Sequence, residues 1–392
     1  MLAKYLFVVL GLSVPASSFA LGVRLFDHDA FATARGDAFV ATADNPSAIY
    51  YNPAGITQLQ GHNARAAVNL LSVDAGYERQ GMRDLHTDRD FIPIPGFFYT
   101  YTPSNFPISF GAGYYLPYGL SLEWPDNSPF RTTTIRGELQ YHTFNGIIAW
   151  QVTKALSIAA GPTFNYSSTD LRRGIAAVGD EFKFRGDDYD LGATAGLFWK
   201  PLERHAFGLS YRSQTTMNFE GKSRIQPYPV PIQNASARLP FPQAIVAGYS
   251  FRPTPHWNLE VDLDWTDWDR VNTPVLKQPS GNVPLPLRWE SSWAVEAGVT
   301  RYFDNGLHLS GGYVYLQNSV PDKSFTPLLP DQDLHVFSAG IGGKHEQLTW
   351  DATYQFTTGL GRDVSGSIYG PSVSGHYTFT AHAFSLSVGW HF

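Results

Sequence analysis

The chain has 392 residues, a formal net charge of −6, 16 % charged and 15 % aromatic residues, and no cysteine. The acidic balance gives a nucleic-acid surface no electrostatic support, and disulfides cannot be what stabilises the fold. A mean hydropathy of −0.19 is too polar for a bundle of membrane helices, yet 27 Phe, 21 Tyr and 10 Trp are unusual for a water-soluble protein, whereas a membrane β-barrel accommodates both because alternate residues face lipid and lumen.

In chain order, residues 1–20 read as a secretory signal peptide. Lys4 gives a positive start, an apolar run covers Tyr5 to Val14, and Ser18-Phe19-Ala20 precedes the expected cleavage. The run is well short of the roughly 20 residues a spanning helix needs. Residues 21–62 follow as a small N-terminal unit. Within it, "DNPSAIYYNPAG" (44–55) holds two Asn-Pro pairs. Asn is a strong helix N-cap and Pro suits the first helical position, so Asn45-Pro46 and Asn52-Pro53 each start a short helix. Neither is stable alone in water, and the unit must dock on something larger.

Residues 63–392 read as strands. In "HWNLEVDLDWTDW", Trp257, Leu259, Val261, Leu263 and Trp265 share one face, and Asn258, Glu260, Asp262, Asp264 and Thr266 the other. The same alternation runs from Leu348 to Thr357. About ten residues at period two suit a tilted bilayer-crossing strand. Trp257, Trp265, Trp350 and Trp390 sit at strand ends, where headgroup-level aromatics belong. Short connections near 102–105, 153–155, 201–205, 252–255, 304–306 and 344–347 alternate with long ones near 79–91, 117–136, 169–185, 220–238, 271–287, 319–332 and 361–375. That rhythm predicts an all-β membrane protein, a 14-stranded antiparallel transmembrane β-barrel with tight periplasmic turns and long outer loops. The chain closes on "AFSLSVGWHF", ending in Phe392, which reads as a closing strand with a recognition signal for the barrel-assembly machinery.

The small N-terminal unit before fourteen strands, Asn52-Pro53-Ala54, the run "RGDAFVATADNPSAIYYNPAG", "FGAGYYLPYGL", "YRSQTTMNFEGK", "PDQD" and the terminal Phe together resemble the FadL family of outer-membrane channels for long-chain fatty acids and other hydrophobic compounds. The resemblance covers essentially the whole mature chain. It implies a helical hatch (21–62) plugging the lumen of the barrel (63–392), in the bacterial outer membrane, in contact with outer-membrane lipid and lipopolysaccharide, as a monomer without cofactor or metal. Asn52, Pro53 and Ala54 would gate. A break in the third strand would open the wall sideways, with Gly111 and Gly113 permitting the bend and Pro117 further along. Leu116, Tyr118, Leu120, Leu122 and Trp124 would form an apolar capture patch among the outer loops. Arg172, Arg173, Arg270 and Lys277 are the candidate partners for a carboxylate, set against a plain reading as solvated rim charges. The ligand, a fatty acid or an aromatic or aliphatic hydrocarbon, would move passively toward apolar surroundings.

Two other functions have some footing. A general diffusion porin would line its pore with Glu260, Asp262, Asp264 and Glu296, but a hatch has no use in it. An outer-membrane lipid-modifying enzyme would need more than His28 between Asp27 and Asp29, or His335 near Asp333. Neither comes with a nucleophile, and both read more simply as solvated polar turns.

Overall fold

The computed structural model describes residues 22–88 and 91–392, so the expected signal peptide lies outside the described residues. Fourteen strands run β1 Gly61–Glu78, β2 Phe91–Thr102, β3 Ile108–Glu123, β4 Arg136–Gln151, β5 Leu156–Arg173 and β6 Glu181–Leu202. β7 comes in two pieces, His205–Arg212 and Thr215–Gln226, and β8 in two, Gln233–Phe241 and Ala244–Thr254. They continue as β9 Trp257–Thr266, β10 Ser292–Tyr302, β11 Leu307–Leu316, β12 Leu334–His345, β13 Leu348–Gly359 and β14 Gly375–His391. Each pairs antiparallel with its neighbour. β14 returns to β1, with Asn63 opposite His391 and Glu78 opposite His376, so the sheet closes and leaves no free edge.

The alternation has the expected physical basis. In β9, Val261 is 48 % exposed on the outer face while Asp262 is fully buried inside. The wall is apolar outward because lipid lies there, and polar inward because the lumen is filled with protein.

Three expected outer loops are shorter than the pattern suggested. Residues 117–123, 169–173 and 220–226 belong to β3, β5 and β7. Their outward side chains are polar, so alternation of hydrophobicity fades although the ladder continues. Arg172 and Arg173 therefore lie on a strand, not in a loop.

The ladder has one weak seam. β2 pairs with β3 only over Phe97–Tyr101 against Tyr114–Phe110. Above that level β3 carries one extra residue relative to β4, between the pairs Tyr115/Thr143 and Tyr118/Tyr141. This is a β-bulge containing Pro117, which has no N–H to donate.

Residues 22–59 lie inside the barrel. Helix α1 spans Ala30–Ala34, α2 spans Ala48–Tyr51, and a 3-10 helix spans Pro53–Gln58. Asp29 caps α1 by accepting from the N–H groups of Phe31 and Ala32. Asn45 works one step earlier than predicted: its Oδ1 accepts from Ser47 N–H and Oγ, and α2 begins at Ala48. All three helices are too short to persist alone. Their stability comes from the wall around them.

Candidate functional site

The lumen is layered along the barrel axis. At the outer end is an apolar chamber walled by Val23, Leu120, Leu139, Leu171, Phe184, Phe219, Leu239 and Phe241. Its roof is built from outer connections: Trp268 and Trp289 meet edge to face at 5.0 Å, and Leu328 and Leu329 come from residues 317–333. Trp124 Nε1 donates to Pro327 O at 2.9 Å and ties the roof to β3. The one charged residue at its border among those described is Glu138, which sits between the inward-facing Gly137 and Leu139 and turns its carboxylate to the outer face. Its carboxylate is held by Arg136 at 2.6 Å and Gln140 at 3.0 Å. No Arg, Lys or His lines the chamber among the described residues.

Beneath it lies a layer of buried charge. Arg24 donates to Asp264 at 2.6 Å and to Thr266 at 2.7 Å. Asp262 accepts from the N–H groups of Phe39 and Val40, both at 2.9 Å, and Glu260 from those of Ala41 and Thr42. Arg35 pairs with Glu260 at 3.2 Å. Arg212 donates to Tyr115 Oη at 3.0 Å and stacks over Tyr50 at 4.6 Å. Lower still, Arg65 joins Asp29 to Asp351, and His308 meets Asp351 at 2.8 Å. The carboxylates of β9 thus grip a run of backbone N–H groups in residues 39–42. They clamp the internal segment and do not line an open pore, which corrects the porin alternative.

Residues 22–59 also reach the wall at a band of lumen-facing glycines. A Cβ at Gly208 would sit 2.1 Å from Val40 O, one at Gly298 2.5 Å from Arg35 O, and one at Gly196 2.3 Å from Asn52 Oδ1. No larger residue fits between segment and strand.

The residues singled out in the sequence fall as follows. Asn52 is fully buried and caps the 3-10 helix by accepting from Ala54 N–H at 3.2 Å. Its Nδ2 donates to Val40 O at 2.8 Å and to Leu197 O of β6 at 3.0 Å. Its polar anchor is therefore β6 and not β3. Pro53 packs with it near Gly196, and Ala54 is buried. Gly111 and Gly113 face Ile49 and Ile56, with a Cβ at Gly113 only 2.8 Å from Ile49. The ladder is intact at both, since Gly111 pairs with Thr100 and Gly113 with Phe98. The interruption lies higher, at Tyr115–Tyr118.

Leu116, Tyr118, Leu120 and Leu122 are not in an outer loop. They are buried on upper β3 with Trp124 just beyond, and Leu120 lines the chamber. Opposite them Val23–Leu25 complete the edge that β2 leaves: Gly119 N–H donates to Val23 O and Leu25 N–H to Pro117 O, both at 2.9 Å.

None of the four candidate cations lines the chamber. Arg172 bonds Asp170 at 3.4 Å, Arg173 stacks on Phe182 at 5.3 Å, Arg270 pairs with Asp267 at 3.0 Å, and Lys277 is exposed on a short ladder piece opposite Ser236. His28 and its flanking acids are not a solvated turn either. His28 and Asp29 are buried, and burial, with Arg212 and Arg24 nearby, holds the His28 imidazole down to about 3. The neutral ring uses its Nε2 at 3.2 Å from Leu25 O. Nothing local in the sequence marks Arg24, Arg35, Arg65 and Arg212 as lumen residues. The one available signal was three acids at alternate positions on the lumen face of β9, which need partners once the lumen is filled.

The sequence profile of the outer membrane protein transport protein family, OMPP1/FadL/TodX, matches residues 11–392. The chain is 23 % identical to the long-chain fatty acid transport protein of Escherichia coli O6:H1 over 83 % of its own length and 81 % of the relative's. Its fold is similar to that of a Pseudomonas aeruginosa FadL homologue, with a TM-score of 0.84 at 19 % identity, covering 95 % of this chain and all of the other. It is also similar to the Pseudomonas putida toluene transporter TodX, with a TM-score of 0.76 at 16 % identity, covering 96 % and 100 %.

Proposed function

The chain belongs to the outer membrane protein transport family, OMPP1/FadL/TodX, a family of outer-membrane transport channels and not enzymes, and from that premise we propose that it takes up hydrophobic molecules and releases them sideways into the bilayer. The relatives named above span fatty acid and toluene transport. For this chain the chamber favours neutral compounds. A carboxylate inside would meet apolar side chains, with no cation to offset its desolvation.

The observation that carries the reading is the layering. An apolar ligand in the chamber gains hydrophobic free energy of roughly 25 cal/mol for each Å² of apolar surface it buries. Going straight down would mean parting buried ion pairs such as Arg24–Asp264 and Arg35–Glu260, at about 3–5 kcal/mol for each pair broken. Going sideways means displacing Val23–Leu25 from β3. That costs two backbone hydrogen bonds, each worth about 1 kcal/mol net, and disturbs Arg24 as well, but it leaves Arg35–Glu260 and the carboxylate clamp on residues 39–42 in place. Val23 itself lines the chamber, so ligand pressing on it favours the displaced state by the difference in affinity between the two states. Residues 22–59 act in this scheme as the hatch, with Asn52, Pro53 and Ala54 anchoring its lower end, and no energy source beyond the ligand gradient is used.

Reconstituted into liposomes, the protein should speed entry of toluene or a linear alkane into the membrane far more than entry of a fatty acid anion at pH 8. Equal acceleration of the anion would overturn the neutral preference, and acceleration of none of them would overturn the transport reading for these ligands.

A further inference from the structure

The outward faces of β4 to β7 carry an arrangement that transport does not use. Arg136 lies directly opposite Arg172, Arg172 opposite Lys183, and Lys183 opposite Arg224. One row nearer the membrane, Arg185 lies opposite Lys222. Among the described residues these are all the places where two cations face each other across the barrel ladder. Like charges directly opposite are destabilising, so an arrangement repeated over four adjacent strands calls for anions.

The chain supplies some. Asp170 takes Arg185 at 2.6 Å, Lys183 at 3.1 Å and Arg172 at 3.4 Å. Arg136 has Glu138 and Glu123, and Arg224 has Glu181 at 3.7 Å. Six cations thus stand among four acids. Asp187 and Glu220 face each other one row lower, on the membrane side. Beside the two lower rows is an open cleft bordered by Ser168, Asp170, Arg185 and Asp187.

These side chains point away from the chamber, because Thr169, Leu171 and Phe184 on the intervening positions line it. Further down the same outer face, His142 pairs with Tyr166 and Tyr166 with Tyr189, and Tyr189 is 66 % exposed. The cation row is six residues above this aromatic level, roughly 20 Å along a strand. A ligand there meets the wall just outside the hydrocarbon zone, where the headgroups of the outer leaflet lie.

We propose that the outer face of β4–β7 is a binding site for a phosphorylated glycolipid headgroup of the outer leaflet, held by Arg136, Arg172, Lys183 and Arg224. Guanidinium groups bind phosphate bidentately and Lys as a point charge. Neighbouring strands about 4.8 Å apart let one phosphate touch two cations.

The test uses the full-length protein, delipidated in detergent, with bisphosphorylated lipid A as probe and native mass spectrometry as readout. The parent should bind it at least tenfold more tightly than fully dephosphorylated lipid A. Arg172→Gln with Lys183→Gln should remove that preference, and Lys154→Gln, at a periplasmic turn, should keep it. Millimolar inorganic phosphate should leave the lipid bound. Equal binding of the two lipids by the parent, an undiminished preference in the double variant, or full displacement by inorganic phosphate would each overturn the proposal. The lipid comparison on the parent stands even if the double variant fails to fold, and Lys183→Gln alone provides a milder variant. Hydrocarbon uptake is read separately and should not change.

Discussion

Asn52 shows how one side chain ties three pieces together. It caps the 3-10 helix and bonds carbonyls of residue 40 and of β6. Asn52→Ala should cost about 1 kcal/mol from the lost cap and more from two buried carbonyls left unpaired, all within the internal segment. The barrel should still migrate as heat-modifiable, while residues 22–59 become accessible to protease. A segment as protected as the parent's would show that the anchor is redundant. The capping role was legible in the Asn-Pro pair. The β6 partner was not, because a side-chain amide reaching a carbonyl 145 positions away leaves no local pattern. Asp331 offers a pH test at the same scale. Burial pushes its carboxyl up to about 6, above the ordinary value near 4. A raised folded pKa means that the ordered connection binds the proton more tightly than the disordered one. The stabilisation is full below about pH 4 and is lost as pH rises through about 6. Hydrogen exchange in residues 317–333 should therefore be faster at pH 7.5 than at pH 5 after correction for intrinsic rates. Asp331→Asn should flatten that difference, and an unchanged pH dependence in the variant would count against this assignment.

Among the elements, β3 and β9 carry most of the design. The strands were readable wherever one face meets lipid, because a period-two pattern is enforced there. They became unreadable where β3, β5 and β7 rise past the hydrocarbon zone and both faces turn polar or both apolar. Leu116–Trp124 reads as a loop for this reason, and the glycines of β3 mark the break lower than the bulge at Tyr115–Tyr118. Gly111 and Gly113 serve instead as seats for Ile49 and Ile56. Gly113→Val should therefore push Ile49 out and loosen the internal segment without sealing the wall. Gly208→Ala should do the same through Val40 O, 2.1 Å from the added Cβ. In both variants the thermal transition of the barrel should move little, while single-channel recordings show more frequent openings. Recordings as quiet as the parent's would mean that the segment adjusts without leaving the wall.

For the whole molecule, fourteen strands and the outer-membrane setting followed from composition, rhythm and the terminal Phe. The layering did not, because it depends on which lumen-facing residues end up at one height after the barrel closes. Glu260, Asp262 and Asp264 read as pore-lining acids in the sequence and become a clamp only when residues 39–42 arrive from the other end of the chain. An apolar chamber above a charged floor, beside a seam in the wall, is the arrangement from which lateral release is proposed.

The proposed route should be closed by a single deletion. Removing Pro117 takes out the extra residue of β3 and restores one-to-one pairing with β4 between Tyr115 and Tyr118, keeping both side chains facing inward. β3 can then straighten toward β2 and continue the ladder above Tyr114. The decisive measurement is uptake of a fluorescent hydrophobe by liposomes carrying the deletion variant, alongside equilibrium binding of the same probe. The lateral route predicts a barrel at least as heat-resistant as the parent, binding within about threefold of it, and uptake reduced at least tenfold. A variant that folds, binds and still transports at the parent rate would contradict lateral release and send the ligand through the hatch instead.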